Sequence, residues 1–386
     1  MMQVSRREML RVGLGGLAAI SLGETMPAFV SKFAINRGVM RASPISNDNI
    51  LVIVQLSGGN DGLNTVIPVG DEAYFSARPT IGLTDRLHAL ENGLALNPAM
   101  SAFKELFDDG RLAIVNGCGY PNPNRSHFKS MEVWHTADPM KPQTSGWLGH
   151  YVDHLRRGTE SVSLRAINIG TELPQALVAD HENVPSIPSV DGGAPVAMEY
   201  LARQATNAVI DPGAIERAAA RYRPDANYPG GLGQQLRLIA QLIAANLGTK
   251  IFYCQISGFD THANQLGQHE RLLGNVSSAI AAFTNDMKSK GLGEKVAVMC
   301  FSEFGRRVNQ NTSAGTDHGA AGPMFIVGGK VKRGIYGAHP SLTDLDDGDL
   351  KYTTDFRRVY ATLLDRWLNT SSSAILNNTF EPMAFL

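Results

Sequence analysis

Short apolar runs alternate with polar loops and amphipathic stretches along this chain, in an α/β rhythm. At Ile50 a continuous apolar run, ILVIVQL, opens and stops at Ser57-Gly58-Gly59. A short run rich in β-branched residues and closed by such a turn predicts a buried strand. Downstream, Asn97 can cap a helix with Pro98 in its first position, and Met100, Phe103, Leu106 and Phe107 then share one face. Gly110 ends that helix, and Leu112–Val115 reads as a second strand. Strand, helix and strand with short links predict a parallel sheet.

The rhythm returns after Gly231. LGQQLRLIAQLIAANLG reads as an amphipathic helix closed by Gly248, KIFYCQISG as a strand, residues 266–290 as a long helix and KVAVMCFSEFG as a strand. MFIVGG is a further short strand, and TTDFRRVYATLLDRWL a helix capped by Asp355 or a preceding Thr. Between the two halves, residues 140–225 hold one strand-like run, Ala166–Ile169, among Pro/Gly-rich loops, and read as an insertion or cap over the sheet. The expected fold is α/β: a three-layer α/β/α sandwich around a mostly parallel central sheet.

The start of the chain has a different character. In SRREMLRVGLGGLAAISLG, Arg6 and Arg7 precede an apolar, Gly/Ala-rich segment. That segment is about ten residues long, where a bilayer span needs roughly 20. The pattern reads as a twin-arginine export signal, with a plain basic helix as the alternative. Residues 1–47 are then signal and linker, and 48–386 the mature domain. This predicts passage through the Tat translocon, a periplasmic or otherwise exported location, and no stable membrane span. The formal net charge of −1 argues against nucleic acid as a partner. Cys118, Cys254 and Cys300 stand far apart in or beside apolar runs, and read as buried free thiols.

Four apolar runs pass directly into tight polar loops, and ligands of open parallel sheets bind outside the carboxyl ends of the strands. SGGNDGLN supplies Asn60 and Asp61, or is merely an Asx-turn. GYPNPNRSHF supplies Arg125, Ser126 and His127. Ser126 suits a nucleophile, the cap of a helix over FKSMEVWHTA, or both, and its neighbour His127 need not be its base. SGFDTHANQ supplies Asp260 and His262, and FSEFGRRVNQNTSAGTDHGAAGP supplies Glu303, Arg306, Arg307, Asp317 and His318. Carboxylates with imidazoles suit zinc, manganese or iron, and carboxylates alone suit calcium or magnesium. The arginines suit an oxyanion, or form a solvated turn. The conjunction of these groups at one sheet rim points to a metal-assisted site.

LSGGNDGLNTVIP, NRSHF, GFDTHANQ, SEFGRR and GTDHGAAGPMFIVGG, in that order, resemble the DUF1501 family of exported bacterial proteins. The resemblance runs from Ile50 to the C-terminal helix. That family is similar in turn to the alkaline phosphatase and sulfatase superfamily, which implies an α/β/α fold and usually two metal ions at the strand ends. By position, the resemblance implies Ser126 as nucleophile and Asp61 as ligand of one metal. It implies Asp260, His262 and His318 as ligands of another, with Asp317 orienting His318. Glu303 and Phe304 stand where the superfamily has an aspartate and a histidine, so one site keeps three ligands and the other only Asp61 and Glu303. A rival register takes Asp317-His318 as the superfamily's Asp-His pair. The implied function is a metal-dependent hydrolase of phosphate or sulfate esters, small-molecule or glycan, with Arg125 or Arg306 holding the transferring group. Its cofactor would be one or two divalent ions: zinc, with manganese, calcium or magnesium as alternatives. A non-catalytic envelope binding or assembly module with at most one metal is the competing expectation.

Overall fold

In the computed structural model, Ile50–Ser57 forms strand β1 near the centre of a nine-stranded sheet. The structure describes residues 49–156, 164–188 and 221–386. The expected export signal with Arg6 and Arg7, and residues 189–220 of the expected cap, lie outside the described residues. The other strands are β2 (Leu112–Gly119), β3 (Ala166–Ile169), β4 (Ser186–Ile187), β5 (Ile251–Ser257), β6 (Val296–Ser302), β7 (Gly322–Gly328), β8 (Gly334–Tyr336) and β9 (Thr354–Asp355). They lie in the order β8-β2-β7-β6-β1-β5-β3-β4, with β9 added beside β2. Every pairing is parallel except those of β7, which runs antiparallel to both β2 and β6.

Side chains alternate across a strand, so an unbroken apolar run must be covered on both faces. The covering helices are α1 (Ser101–Asp108), α2 (His127–Thr136), α3 (Trp147–Arg156), α4 (Gly230–Ala244), α5 (Gln265–Ser289) and α6 (Phe356–Thr362). Val52, Val54 and Leu56 of β1 pack in one core with Phe103 of α1, Ile239 of α4 and Ile280 of α5. Leu51 and Ile53 pack in the opposite core with Trp134 of α2, Tyr151 of α3 and Tyr360 of α6. The result is the expected three layers around a mostly parallel sheet. Asn97 caps as expected, accepting from the Ala99 N–H, although a short 3-10 turn at Pro98–Met100 precedes α1. At α6 the cap is Asp355, which accepts from the Arg357 N–H.

Within the region read as an insertion or cap, Ala166–Ile169 and Ser186–Ile187 are strands of the sheet itself, and Trp147–Arg156 belongs to a helical layer. Of the two strands, the Pro/Gly-rich loops hid only the edge strand Ser186–Ile187. The three cysteines are free and buried. No helix among the described residues is long and apolar enough to cross a membrane.

Two histidines are built into the packed layers. His135 of α2 lies 3.0 Å from Gln55 Oε1, and His269 of α5 lies 2.9 Å from Asn60 Oδ1. Burial pushes both imidazoles down to about 4. Below pH 6.5 the unfolded chain takes up a proton on each ring that the folded chain refuses until about pH 4. Stability should therefore fall as pH drops through that window, by on the order of 2 kcal/mol per histidine. Urea unfolding near pH 7 and near pH 5 measures it, and equal stabilities would refute the assignment.

Candidate functional site

The central strands end level with one another. Ser57 of β1 pairs with Ser257 of β5, and Leu56 pairs with Ser302 of β6. The loops after β1, β5 and β6 therefore leave the sheet side by side. Strand β7 runs the other way, so its first residues lie at this same rim. The loop before it carries Asp317 and His318, and it folds back on the loop after β6. Gly305 N–H bonds to Ala320 O at 2.8 Å, and Arg307 N–H to Asp317 O at 3.0 Å. Glu303 and Asp317-His318, rivals for one position in the two sequence registers, thus stand in a single site.

At this rim three histidines surround Asp260. His262 Nε2 lies 2.9 Å and His318 Nε2 3.1 Å from Asp260 Oδ1, and His127 Nε2 lies 3.5 Å from Asp260 Oδ2. The ligand atoms of His127, Asp260 and His318 all fall within 4.8 Å of one another, a grouping able to hold a metal ion. His262 Nε2 and His318 Nε2 are 3.0 Å apart. Each ring is fixed from behind: His127 Nδ1 by Glu303 Oε1 at 2.9 Å, His262 Nδ1 by Asp317 Oδ1 at 3.1 Å, and His318 Nδ1 by the Arg125 carbonyl at 2.8 Å. Phe304 packs beside the His127 and His318 rings.

Arg306 joins these pieces. Its side chain is fully buried. Nε donates to Gly59 O at 2.7 Å, Nη1 to Thr316 O at 2.8 Å, and Nη2 to Phe259 O at 3.1 Å, to Gly58 O and to Asp260 Oδ1 at 2.7 Å. Burial works to raise the Asp260 carboxyl, but the Arg306 and His318 hydrogen bonds prevail and hold it at about 2. The same loops approach closely at Gly58, whose φ is +119° and where an added Cβ would meet Asp260 N at 2.4 Å. Only glycine fits there.

Other expected site residues have different surroundings. Asp61 is fully buried and bonds Arg78 Nη1 and Gln265 Nε2, each at 2.5 Å. Glu303, 2 % exposed, accepts from the Gly58 N–H at 2.8 Å and from Ser302 Oγ at 3.1 Å as well as meeting His127. The two are engaged separately, and their described partners do not bring them together as one cation site. The Arg125 guanidinium turns to Asp349 Oδ2 at 2.7 Å and Asp347 Oδ2 at 2.9 Å, and Arg307 lies 3.6 Å from both aspartates. Ser126 is exposed at the N-cap of α2, yet its side chain makes no capping bond.

A family model described as "Protein of unknown function (DUF1501)" matches residues 115–377. The chain belongs to the DUF1501 family. No curated protein matches it in sequence. Solved structures similar to it include the PsFucS1 sulfatase from Pseudoalteromonas sp., at 11 % identity over 93 % of this chain and 75 % of that one, TM-score 0.43. The lipoteichoic acid synthase LtaP from Listeria monocytogenes is similar at 10 % identity over 75 % and 68 %, TM-score 0.36. The C-terminal periplasmic domain of EcEptC from Escherichia coli, in complex with zinc, is similar at 9 % over 74 % and 75 %, TM-score 0.36. The chemistry of the present site rests on its own residues, not on these likenesses.

In this DUF1501 chain the sequence alone puts His127 next to Ser126, and only the fold puts it beside Asp260. The available signal was its position as the first residue of a helix that begins at the sheet rim. Two variants test the support beneath the cluster. Arg306→Lys cannot reach five acceptors at once and should cost about 3 kcal/mol in urea unfolding. Gly58→Ala should cost a similar amount, about 3 kcal/mol, through backbone strain and the clash with Asp260. Wild-type stability in either would show that the loops are tied elsewhere.

Proposed function

We propose that this DUF1501 protein is an exported, metal-dependent hydrolase of phosphate or sulfate esters, with Asp260, His262 and His318 as metal ligands. The observation that carries this reading is the convergence of two histidine Nε2 atoms on one Asp260 oxygen, 2.9 and 3.1 Å away. Imidazole and carboxylate donors together fit a zinc-class divalent ion. Bound there, such an ion supplies Lewis-acid polarisation of a phosphoryl or sulfuryl oxygen.

Ser126 stands where the N-terminus of α2 meets the rim, next to His127. Free N–H groups and the helix dipole favour an anion at such a position. Ser126 Oγ attacks phosphorus or sulfur, the bond to the ester oxygen breaks, and the serine proton ends on the leaving alcohol. Water then cleaves the serine ester and restores the hydroxyl. Arg306 acts as a positioning residue through Asp260. Arg125 can hold the anion only by releasing Asp347 and Asp349. Phe128, 89 % exposed and adjacent to His127, offers an apolar surface for the alcohol part of the ester. Export through the Tat translocon follows from the Arg6-Arg7 segment, and a small-molecule or glycan ester is the substrate class.

One observation favours the non-catalytic reading, an envelope binding or assembly module. Asp61 Oδ2 is paired with the buried Arg78, whose positive charge disfavours a second cation at its expected ligand. Turnover of aryl phosphates and aryl sulfates by metal-replete protein separates the two. Ser126→Ala should lower turnover about a thousandfold or more with metal content unchanged. Undiminished turnover removes the nucleophile assignment, and an inactive but metal-replete wild type selects the binding module.

A further inference from the structure

We propose that His127 is a metal ligand, completing a mononuclear centre with His262, His318 and Asp260, and that Glu303 and Asp317 orient the rings rather than bind the ion. The inference rests on the metal-site reading above but changes its ligands and its count.

The hydrogen-bond pattern behind the rings assigns their tautomers. His127 Nδ1 faces a Glu303 carboxylate oxygen, His262 Nδ1 an Asp317 carboxylate oxygen, and His318 Nδ1 the Arg125 carbonyl. All three partners are acceptors, so each Nδ1 carries a hydrogen and donates it. With Nδ1 so engaged, each Nε2 is the ring atom left to meet a cation, the arrangement in which a carboxylate or carbonyl orients a metal-binding histidine. Each of these nitrogens faces Asp260, and the ligand atoms of His127, Asp260 and His318 lie within 4.8 Å of one another. The Nε2 atoms of His262 and His318 are 3.0 Å apart and both face Asp260 Oδ1, so a cation bound there would take the place of the protons these contacts otherwise share.

The spacing fits an ion. Donors about 2.0–2.1 Å from a tetrahedral zinc stand about 3.4 Å from one another. Here His262 and His318 Nε2 stand 2.9 and 3.1 Å from Asp260 Oδ1, and His127 Nε2 stands 3.5 Å from Asp260 Oδ2. Charge agrees with this. Among the described ion pairs, Arg306 joins Asp260, Glu303 and Asp317 meet histidines, and Arg125 and Arg307 are matched by Asp347 and Asp349. Two negative charges are left over, and one divalent cation balances them.

The count of one follows from the separate placement of the two carboxylates outside the set, although the buried Asp61 Oδ1 has no hydrogen-bond partner. Glu303 is occupied by Gly58, Ser302 and His127, and Asp61 by Arg78 and Gln265. Three neutral imidazoles with one carboxylate select a transition metal over calcium or magnesium, which take oxygen ligands. Four protein donors close a tetrahedron, so a hydrolytic role needs a fifth position, on the exposed side of Asp260.

Metal-stripped full-length protein titrated with Zn²⁺ by calorimetry, and with Co²⁺ by visible absorption, tests this without recourse to turnover. One equivalent is expected. His127→Ala should weaken Zn²⁺ at least a hundredfold and alter the Co²⁺ spectrum. Glu303→Gln, which keeps an oxygen toward Gly58, should weaken Zn²⁺ about 10- to 100-fold. Wild-type affinity and spectrum in His127→Ala, with binding lost in His318→Ala, would overturn this inference and leave the metal-site reading standing. Two equivalents would overturn the mononuclear count alone. No binding of either ion by folded wild-type protein would overturn both readings.

Discussion

The buried guanidinium of Arg306 is the interaction on which the site depends. A charge removed from water is tolerable only when its donors are satisfied. Here they are met by carbonyls of Gly58, Gly59, Phe259 and Thr316 and by the Asp260 carboxylate. Those acceptors come from the loops after β1, after β5 and before β7. One side chain thereby sets the distance between three segments that share no local sequence, and Asp260 is held at the junction. The glycine at position 58 is the steric counterpart, letting two loops approach within a spacing that no Cβ allows.

Around that junction, charge is distributed in pairs with different consequences. Arg78 neutralises Asp61 away from water, and the exposed Asp347 and buried Asp349 neutralise Arg125 and Arg307. What remains unbalanced are the carboxylates next to the histidines. The orienting oxygens behind each ring are the arrangement that the proposed metal centre uses. Reversal of β7 has a part in this as well. Were it parallel like its neighbours, the loop carrying His318 would enter from the opposite edge of the sheet.

Much of the architecture was legible along the chain. The strands at Ile50, Ala166, Ile251 and Val296 and the long helix ending at Ser289 were readable because burial on both faces leaves an unbroken apolar run and burial on one face leaves a 3.6-residue stripe. The short edge strand Ser186–Ile187 was not, since two residues carry no period. Asp260, His262, Asp317 and His318 were legible as rim residues because each lies next to a strand. His127 was not legible as a partner of Asp260, because it opens a helix and its orienting carboxylate, Glu303, is 176 residues away.

The sequence by itself determined the layers, the rim at which the polar loops gather, and the residue types able to meet a cation there. Local burial patterns and turn residues are enough for that. Tertiary structure alone decided how each charge is spent: Asp61 on Arg78, Arg125 on Asp349 at a separation of 224 residues, Arg306 on the loops, and three histidines on one aspartate. Electrostatic pairing acts through space between side chains brought together by strand order and register, and neither order nor register is written in any short stretch of the chain.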